Sequence, residues 1–195
     1  FMAKPYTQEA GNGLHVHFSI LDNNNENIFN NFTNKGSECL LNAVSGCLNF
    51  MKDSTLIFAP NHNSYDRFST GAHAPTAINW GYENRTTAIR IPGGPDIAKR
   101  IEHRVAGGDA NPYLVLASIL GAAINGMESK MEPEEPISGD GYTSGGVSII
   151  KDWKKSIECF SNSQQIKKIF DPLLIRSFVD CKKQELDYFK DKSYN

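Results

Sequence analysis

The chain has 195 residues, of which 39% are hydrophobic and 22% charged, and its formal net charge is -2. This balance is typical of one globular domain with a buried core, and it excludes a disordered or collagen-like chain. It also provides no overall attraction for nucleic acid or an acidic membrane, so any anion site must be local.

No apolar run is long enough to cross a bilayer, and the first residues, Phe-Met-Ala-Lys-Pro, do not have the layout of a secretory signal. We therefore expect a cytoplasmic protein with no membrane partner. The cysteines have no C-x-x-C spacing, which favours reduced core thiols over zinc ligands or disulfides. They are Cys39, Cys47, Cys159 and Cys181.

The first predicted strand covers residues 14–20, Leu-His-Val-His-Phe-Ser-Ile, and alternates strictly between apolar and polar side chains. The apolar residues share one face, and His15, His17 and Ser19 share the other. Two imidazoles on one face of a strand are compatible with a metal site, and also with ordinary surface histidines. A Gly-Asn-Gly turn that begins at Gly11 precedes this strand and allows close approach of a ligand to the backbone.

Hydrophobic spacing and the positions of proline and glycine predict the remaining elements. They are a helix over 37–52, strands over 77–82, 85–91 and 100–105, and helices over 113–127, 147–160 and 173–190. Loops rich in Pro, Gly and polar residues fill 59–71 and 132–146. The helix over 113–127 is apolar nearly all round, so we expect it to be central in the fold.

The strand predicted over 100–105 has Arg100, Glu102 and Arg104 on one face. A carboxylate between two guanidinium groups should have a lowered pKa and stay ionised, as a metal ligand must. A surface ladder of ion pairs is the alternative, and this strand alone does not separate the two readings.

The other face of this strand includes His103, which we expect to be a buried, hydrogen-bonded core residue. We expect His62, in the loop upstream, to be structural as well.

Five arginines lie between positions 67 and 104, because Arg67, Arg85 and Arg90 precede the pair on that strand. Guanidinium groups suit phosphate and carboxylate oxygens. With a His and a Glu available to a divalent cation, these residues favour phosphoryl transfer. The chain has no G-x-x-x-x-G-K-[ST] run, which excludes a P-loop mechanism. A cupin-type metal site built on His-x-His would leave the arginines unexplained.

Several motifs occur in order over residues 1–130. They are Lys4-Pro5, Gly11 to Ser19, Asn63 to Arg67, Asn84-Arg85-Thr86, Arg90 to Pro92, Arg100 to Arg104 and Asp109 to Leu114. In combination they resemble the catalytic domain of the glutamine synthetase family, most of all the branch that includes gamma-glutamylpolyamine synthetases. The resemblance implies an α+β fold, an antiparallel sheet with flanking helices.

The resemblance also implies a reaction and a role for each matching residue. The gamma-carboxylate of glutamate is phosphorylated by ATP, and an amine then displaces phosphate to form an amide. His15 and Glu102 would bind Mg²⁺ or Mn²⁺; His17, Ser19, Arg90 and Arg100 would bind ATP; Arg85 would neutralise the transferring phosphoryl group; and Gly11, Arg67 and Arg104 would bind glutamate.

Two departures from the family pattern bear on the substrates. His73 stands before Ala74-Pro75, where ammonia-using members have a Glu that helps to bind ammonium. A neutral His cannot attract ammonium as a carboxylate does, so we favour a polyamine or another primary amine. Ala10 replaces an Asn of many members, which leaves only backbone contacts to glutamate at Gly11.

The alternatives are a glutamine synthetase that uses ammonia and a non-catalytic structural or regulatory relative. A phosphagen-kinase-like phosphotransferase would not need this series of motifs.

Members of the glutamine synthetase family are more than twice as long, and they form their sites between subunits of stacked rings. We therefore expect residues 1–195 to be the C-terminal portion of such a catalytic domain, part of a homo-oligomer, without a nucleic-acid partner and inactive alone. The remaining metal ligands would then lie outside this chain.

Overall fold

The computed structural model describes residues 2–69, 73–144 and 146–190, and its elements follow the predicted order. The strands are β1 (Val16–Phe18), β2 (Trp80–Tyr82), β3 (Ile89–Ile91) and β4 (Ile101–His103). The α-helices are α1 (Glu38–Met51), α2 (Thr55–Phe58), α3 (Pro112–Glu128), α4 (Trp153–Asn162) and α5 (Pro172–Phe189). All four strands are shorter than predicted, and α4 begins later than the predicted start at 147. Short 3-10 helices lie at His62–Arg67, Asp96–Ala98 and Ile166–Lys168.

The α+β class is confirmed, and the four strands form one sheet in the order β1-β4-β3-β2. Strand β4 pairs antiparallel with both β1 and β3. The β2–β3 pair is parallel, so the sheet is mixed and not wholly antiparallel. The chain leaves β2 through Glu83, which has a φ of 53°, and the side chain of Asn84 accepts a hydrogen bond from the Thr86 N–H at 3.0 Å. Residues 83–88 connect the two strands, which run in the same direction.

The exposure along residues 14–20 alternates as the sequence pattern predicts. His15, His17 and Ser19 are exposed, whereas the four apolar residues between and beside them are half-buried. Strand β4 is buried along its whole length, because β1 and β3 cover its two edges and the core covers one face. The polar face of β1 therefore lies beside the polar face of β4.

Helix α1 starts at the predicted position because the Ser37 side chain accepts a hydrogen bond from the Leu40 N–H at 3.2 Å. Helix α3 starts at Pro112, where the Asn111 side chain accepts from the next backbone N–H groups. Both caps agree with the helix starts expected from the sequence. No helix in the described ranges is both long and apolar enough to span a membrane.

The prediction that α3 is central is wrong. The helix buries one face against α1, and its opposite face exposes large apolar side chains, namely Tyr113, Leu116, Leu120 and Ile124. Apolar residues all round a helix show that it is hydrophobic but do not show which face meets the core. The four cysteines are free, yet only Cys47 is buried, and Cys181 lies on the exposed face of α5.

Helices α1 and α3 cross at two glycines. A Cβ atom at Gly46 would lie 2.2 Å from the Ala122 carbonyl oxygen, and one at Gly126 would lie 2.2 Å from the Asn42 carbonyl oxygen. Distances this short are not compatible with any side chain. The close packing of the two helices therefore depends on glycine at both positions.

We expect Gly46→Ala to lower the free energy of unfolding by about 1–3 kcal/mol, because overpacking must push the helices apart. The gain of about 1 kcal/mol in helix propensity only partly offsets this cost. The neighbouring Ser45→Ala, on the half-exposed side of α1, is the control and should change stability by less than about 0.5 kcal/mol. Urea unfolding of the purified protein measures both, and equal stabilities would contradict the packing argument.

Candidate active site

A buried carboxylate lies at the centre of the polar face of the sheet. Glu102, in the middle of β4, is only 3% exposed. Arg90 Nη1 donates a hydrogen bond to its Oε2 at 2.8 Å, and Arg104 Nη1 donates to its Oε1 at 2.8 Å. Burial alone would raise the pKa of Glu102, but Arg104 and Arg90 together outweigh burial and lower it. Glu102 is therefore ionised, as the sequence predicts, but its second guanidinium partner is Arg90 and not the predicted Arg100.

Strand β1 places His17, and His15 just before it, beside this carboxylate. His17 lies opposite Glu102 in the β1–β4 pair, with Nε2 3.6 Å from Oε1, and His15 Nδ1 lies 3.2 Å from the same oxygen. Burial, and then Arg104, lower the pKa of His15, which keeps its imidazole neutral. The contact between His15 and Glu102 is thus not an ion pair. Arg100 Nε donates to His17 Nδ1 at 3.4 Å, so Arg100 meets this cluster through the histidine.

The donor set fits a divalent cation in part. A neutral imidazole and an ionised carboxylate are both competent ligands, and 3.2 Å between their donor atoms is short enough for one ion to touch both. Within residues 2–69, 73–144 and 146–190, no group of three or more His, Cys, Asp or Glu side chains could hold a metal. Two protein donors suit Mg²⁺, which commonly completes its coordination with water and phosphate oxygens.

Arg67 reaches the same region from the 3-10 helix His62–Arg67. Its side chain is buried, and its guanidinium donates to the carbonyl oxygens of Val105 and Ala106 at 3.2 and 3.3 Å. A Cβ atom at Gly11 would lie 2.8 Å from Arg67 Cγ, so glycine is required there. The turn before β1 thus packs on Arg67, which brings two of the predicted glutamate-binding residues together.

Arg104 connects Glu102 to the turn that contains Arg85. Its Nη2 donates to the Arg85 carbonyl oxygen at 2.8 Å, and the Arg85 side chain is exposed. The Nε atoms of Arg90 and Arg104 are buried and have no hydrogen-bond partner among the described residues. Unpaired buried donors are costly, so these two nitrogens lower the stability of the folded chain.

The sequence also predicts roles for Ser19, His73 and His62. Ser19 is exposed on the same face, just beyond β1. His73 is exposed with a φ of 57°, and residues 70–72 before it lie outside the described ranges. The ring of His62 lies 6.1 Å from those of Trp153 and Phe189, which agrees with a structural role.

His103 is buried as predicted, with its ring 4.8 Å from that of Phe58. Burial lowers its pKa to about 3, so the imidazole is neutral. The expectation that it is fully hydrogen-bonded is wrong for Nδ1, which has no partner within the described part of the chain.

Sequence reasoning missed two residues near the site. Asp109 Oδ2 accepts hydrogen bonds from the Ser64 hydroxyl and from Asn61 Nδ2, and so holds the 3-10 helix that carries Arg67. Asp109 stands in one of the quoted motifs, so a signal for it existed. Burial raises the pKa of Tyr142, and the charge of Arg104 opposes this, which places the phenol near that guanidinium. Nothing in its glycine-rich loop distinguishes Tyr142 in the sequence.

Comparisons with known proteins agree with the motif pattern. Residues 1–195 match the family model described as the catalytic domain of glutamine synthetase. A gamma-glutamylputrescine synthetase of Escherichia coli is 35% identical over 190 residues, 97% of this chain and 40% of that protein. A gamma-glutamylethanolamide synthetase of Streptomyces coelicolor is 35% identical over 189 residues, again 97% of this chain and 40% of the relative.

A solved structure has the same fold. The complex of GmaS with ADP superimposes with a TM-score of 0.89 at 26% identity and covers 100% of this chain and 47% of that one. The chain thus spans about 40% of the length of the curated relatives it matches.

We expect Glu102→Gln to lower the free energy of unfolding by about 3 kcal/mol, because it removes the buried counter-charge that two largely buried guanidinium groups share. Glu83→Gln is the matched control. Glu83 Oε2 lies 3.8 Å from the same Arg90, but its side chain is 61% exposed. This change should cost less than about 1 kcal/mol. Urea unfolding measures the free energy of unfolding of both variants, and equal losses of stability would contradict the central role of the buried carboxylate.

Proposed function

This chain belongs to the glutamine synthetase family, and we propose that its protein is an ATP-dependent ligase that joins the gamma-carboxylate of glutamate to an amine. The observation that carries the proposal is the cluster around Glu102. One ionised carboxylate, one neutral imidazole and several guanidinium groups share one face of a small sheet. Such a face suits the assembly of two anionic substrates beside a cation.

His15 and Glu102 would hold a divalent ion, Mg²⁺ or Mn²⁺, and the other ligands would come from outside this chain. When bound, the ion supplies positive charge to the phosphate oxygens of ATP. Arg90 and Arg100 would bind these phosphates, and His17 and Ser19 would face the nucleotide. Arg90 is fixed for this role by its 2.8 Å hydrogen bond to Glu102.

Glutamate would bind between Arg67, Arg104 and the backbone at Gly11. Arg67 is fixed by two carbonyl oxygens, and Arg104 by Glu102 and the Arg85 carbonyl. Guanidinium groups held in this way need little reordering when a carboxylate arrives, which keeps the entropic cost of binding low.

The reaction has two steps. An oxygen of the gamma-carboxylate attacks the gamma-phosphorus of ATP, the bond to the bridging oxygen breaks, and ADP leaves. The nitrogen of the amine then attacks the acyl carbon of gamma-glutamyl phosphate, phosphate leaves, and the nitrogen loses a proton. Arg85 would neutralise the charge on the phosphoryl group as it moves, since its side chain extends from the turn beside Arg104.

We favour a primary amine larger than ammonia as the acceptor. The names of three relatives specify putrescine, ethanolamide and isopropylamine products or substrates, at 35%, 35% and 32% identity. His73, at the position where ammonia-using members have a carboxylate, gives the same indication. Without a carboxylate at this position, neither an ammonium ion nor an alkylammonium ion finds a counter-charge there. The alkyl chain of the larger amine would offset this loss through apolar contacts, which ammonia cannot make.

The rest of the protein would complete the site. We propose that residues 1–195 are the C-terminal portion of the catalytic domain, and that the protein assembles as a homo-oligomer of stacked rings. Because further metal ligands and part of each site would come from outside residues 1–195, the segment alone should be inactive.

With ATP, Mg²⁺ and glutamate, the full-length protein should release phosphate faster with a polyamine or alkylamine than with ammonia. We expect kcat/KM for the best amine to exceed that for ammonia by at least about tenfold, the size of one lost charge contact. Arg85→Gln serves as the control and should lower kcat about 100-fold or more with every amine, since it removes the charge that neutralises the phosphoryl group.

A second variant tests the position of His73. His73→Glu should raise kcat/KM for ammonia relative to the best alkylamine, because the new carboxylate attracts ammonium. The residue is exposed, so a Glu side chain has space there; the positive φ costs Glu slightly more than His, and this cost is the same for both amines compared. Ammonia as the best substrate of the unaltered protein would show that His73 does not select the amine.

A further inference from the structure

Residues 137–141 form a short segment, which we call the strap, that lies along the edge strand β2. The Ile137 N–H donates to the Trp80 carbonyl oxygen at 2.8 Å. Just upstream, Trp80 Nε1 donates to the Glu134 carbonyl oxygen at 2.7 Å. The strap then continues over the turn between β2 and β3, where Arg85 is located.

Two side chains on either side of Arg85 hold the strap. Asn84 Nδ2 donates to the carbonyl oxygens of Gly139 and Ile137 at 2.7 and 3.3 Å. Thr86 Oγ1 accepts the Gly141 N–H at 2.7 Å and donates to Asn84 Oδ1 at 2.6 Å. The turn and the strap therefore share one continuous set of hydrogen bonds.

The two segments are packed too closely to carry larger side chains. A Cβ atom at Gly141 would lie 2.8 Å from the Thr86 carbonyl oxygen, and one at Gly81 would lie 2.9 Å from the Ile137 carbonyl oxygen. On the other side of the strap, Asn79 Nδ2 donates to the Gly141 carbonyl oxygen at 3.0 Å. The strap is thus fixed on both sides, and it restricts the backbone of the turn.

The same turn is connected to the centre of the site. The Arg85 carbonyl oxygen accepts from Arg104 Nη2 at 2.8 Å, and Arg104 Nη1 donates to Glu102. Arg85 is consequently held at its carbonyl by the site and at both neighbouring side chains by the strap. Its own side chain is exposed and long, so only its backbone position can be fixed in advance.

We propose that Asn84 and Thr86 are positioning residues that use the strap to place Arg85 for phosphoryl transfer. This inference rests on the proposed function. Charge neutralisation of a moving phosphoryl group depends on sub-ångström placement, and an error of 1 Å far from the reacting atoms can cost about 100-fold in rate. A residue that touches no substrate would in this way determine kcat.

The test compares Thr86→Val, which keeps the shape and removes the hydroxyl, with Thr86→Ser, which keeps the hydroxyl. In the full-length protein, Thr86→Val should lower kcat about tenfold and change KM for ATP and glutamate less than about twofold, whereas Thr86→Ser stays within about twofold of the original. Hydrogen exchange at the Gly141 amide should be faster in Thr86→Val only.

A control distinguishes placement from stability. Ser118 donates a buried hydrogen bond to the Ser54 hydroxyl at 2.9 Å, away from the turn. Ser118→Ala should lower the melting temperature to an extent comparable with Thr86→Val, but leave kcat and exchange at Gly141 unchanged. Equal losses of kcat in both variants would overturn the positioning role.

A second variant approaches the same contacts from the other side. Asn84→Asp keeps the acceptor for Thr86 and removes the donors to the strap carbonyls, so it too should lower kcat and speed exchange over residues 137–141. Faster exchange with unchanged kcat, or unchanged exchange in both variants, would overturn the proposal. A full-length protein that forms no amide at all would instead contradict the proposed function, and the exchange measurement still decides whether Thr86 holds the strap.

Discussion

The arrangement of the polar face depends on one constraint, that the buried charge of Glu102 must be matched. A carboxylate that is 3% exposed is costly to ionise unless donors satisfy both oxygens. Arg90 and Arg104 provide these donors, at 2.8 Å each. Because one arginine comes from β3 and the other lies just beyond β4, the carboxylate can be satisfied only when the two strands are in this register. Register and charge pairing therefore support each other.

Backbone carbonyl oxygens and a histidine also orient the arginines of this face. Arg67 uses Val105 and Ala106, Arg104 uses Arg85, and Arg100 uses Ala98 and His17. Carbonyl oxygens orient a guanidinium group without cancelling its charge. The positive charge thus remains available to a ligand, which a second buried carboxylate in contact with these groups would prevent.

The sequence was sufficient to predict which side chains share a face, because alternation along a strand depends on local geometry. The exposure of His15, His17 and Ser19 follows it residue by residue. It was not sufficient for features that depend on distant partners. The parallel β2–β3 pair, the one-sided burial of α3 and the missing partner of His103 Nδ1 all reflect what lies opposite in the fold. Asn84 and Thr86 stood in a quoted motif, but their contacts with residues 137–141 are more than 50 positions away.

Positive and negative charges do not balance around Glu102. The chain as a whole carries a formal charge of -2, yet five arginines come from the segment 67–104, and among them Glu102 is the buried carboxylate that pairs directly with two. Like charges at this density repel one another, and the Nε atoms of Arg90 and Arg104, which have no hydrogen-bond partner among the described residues, add a cost of burial. An anion bound beside these guanidinium groups would reduce the repulsion. Glu102 thus holds the arginines together against their mutual repulsion, and the folded chain bears that cost before any ligand is present.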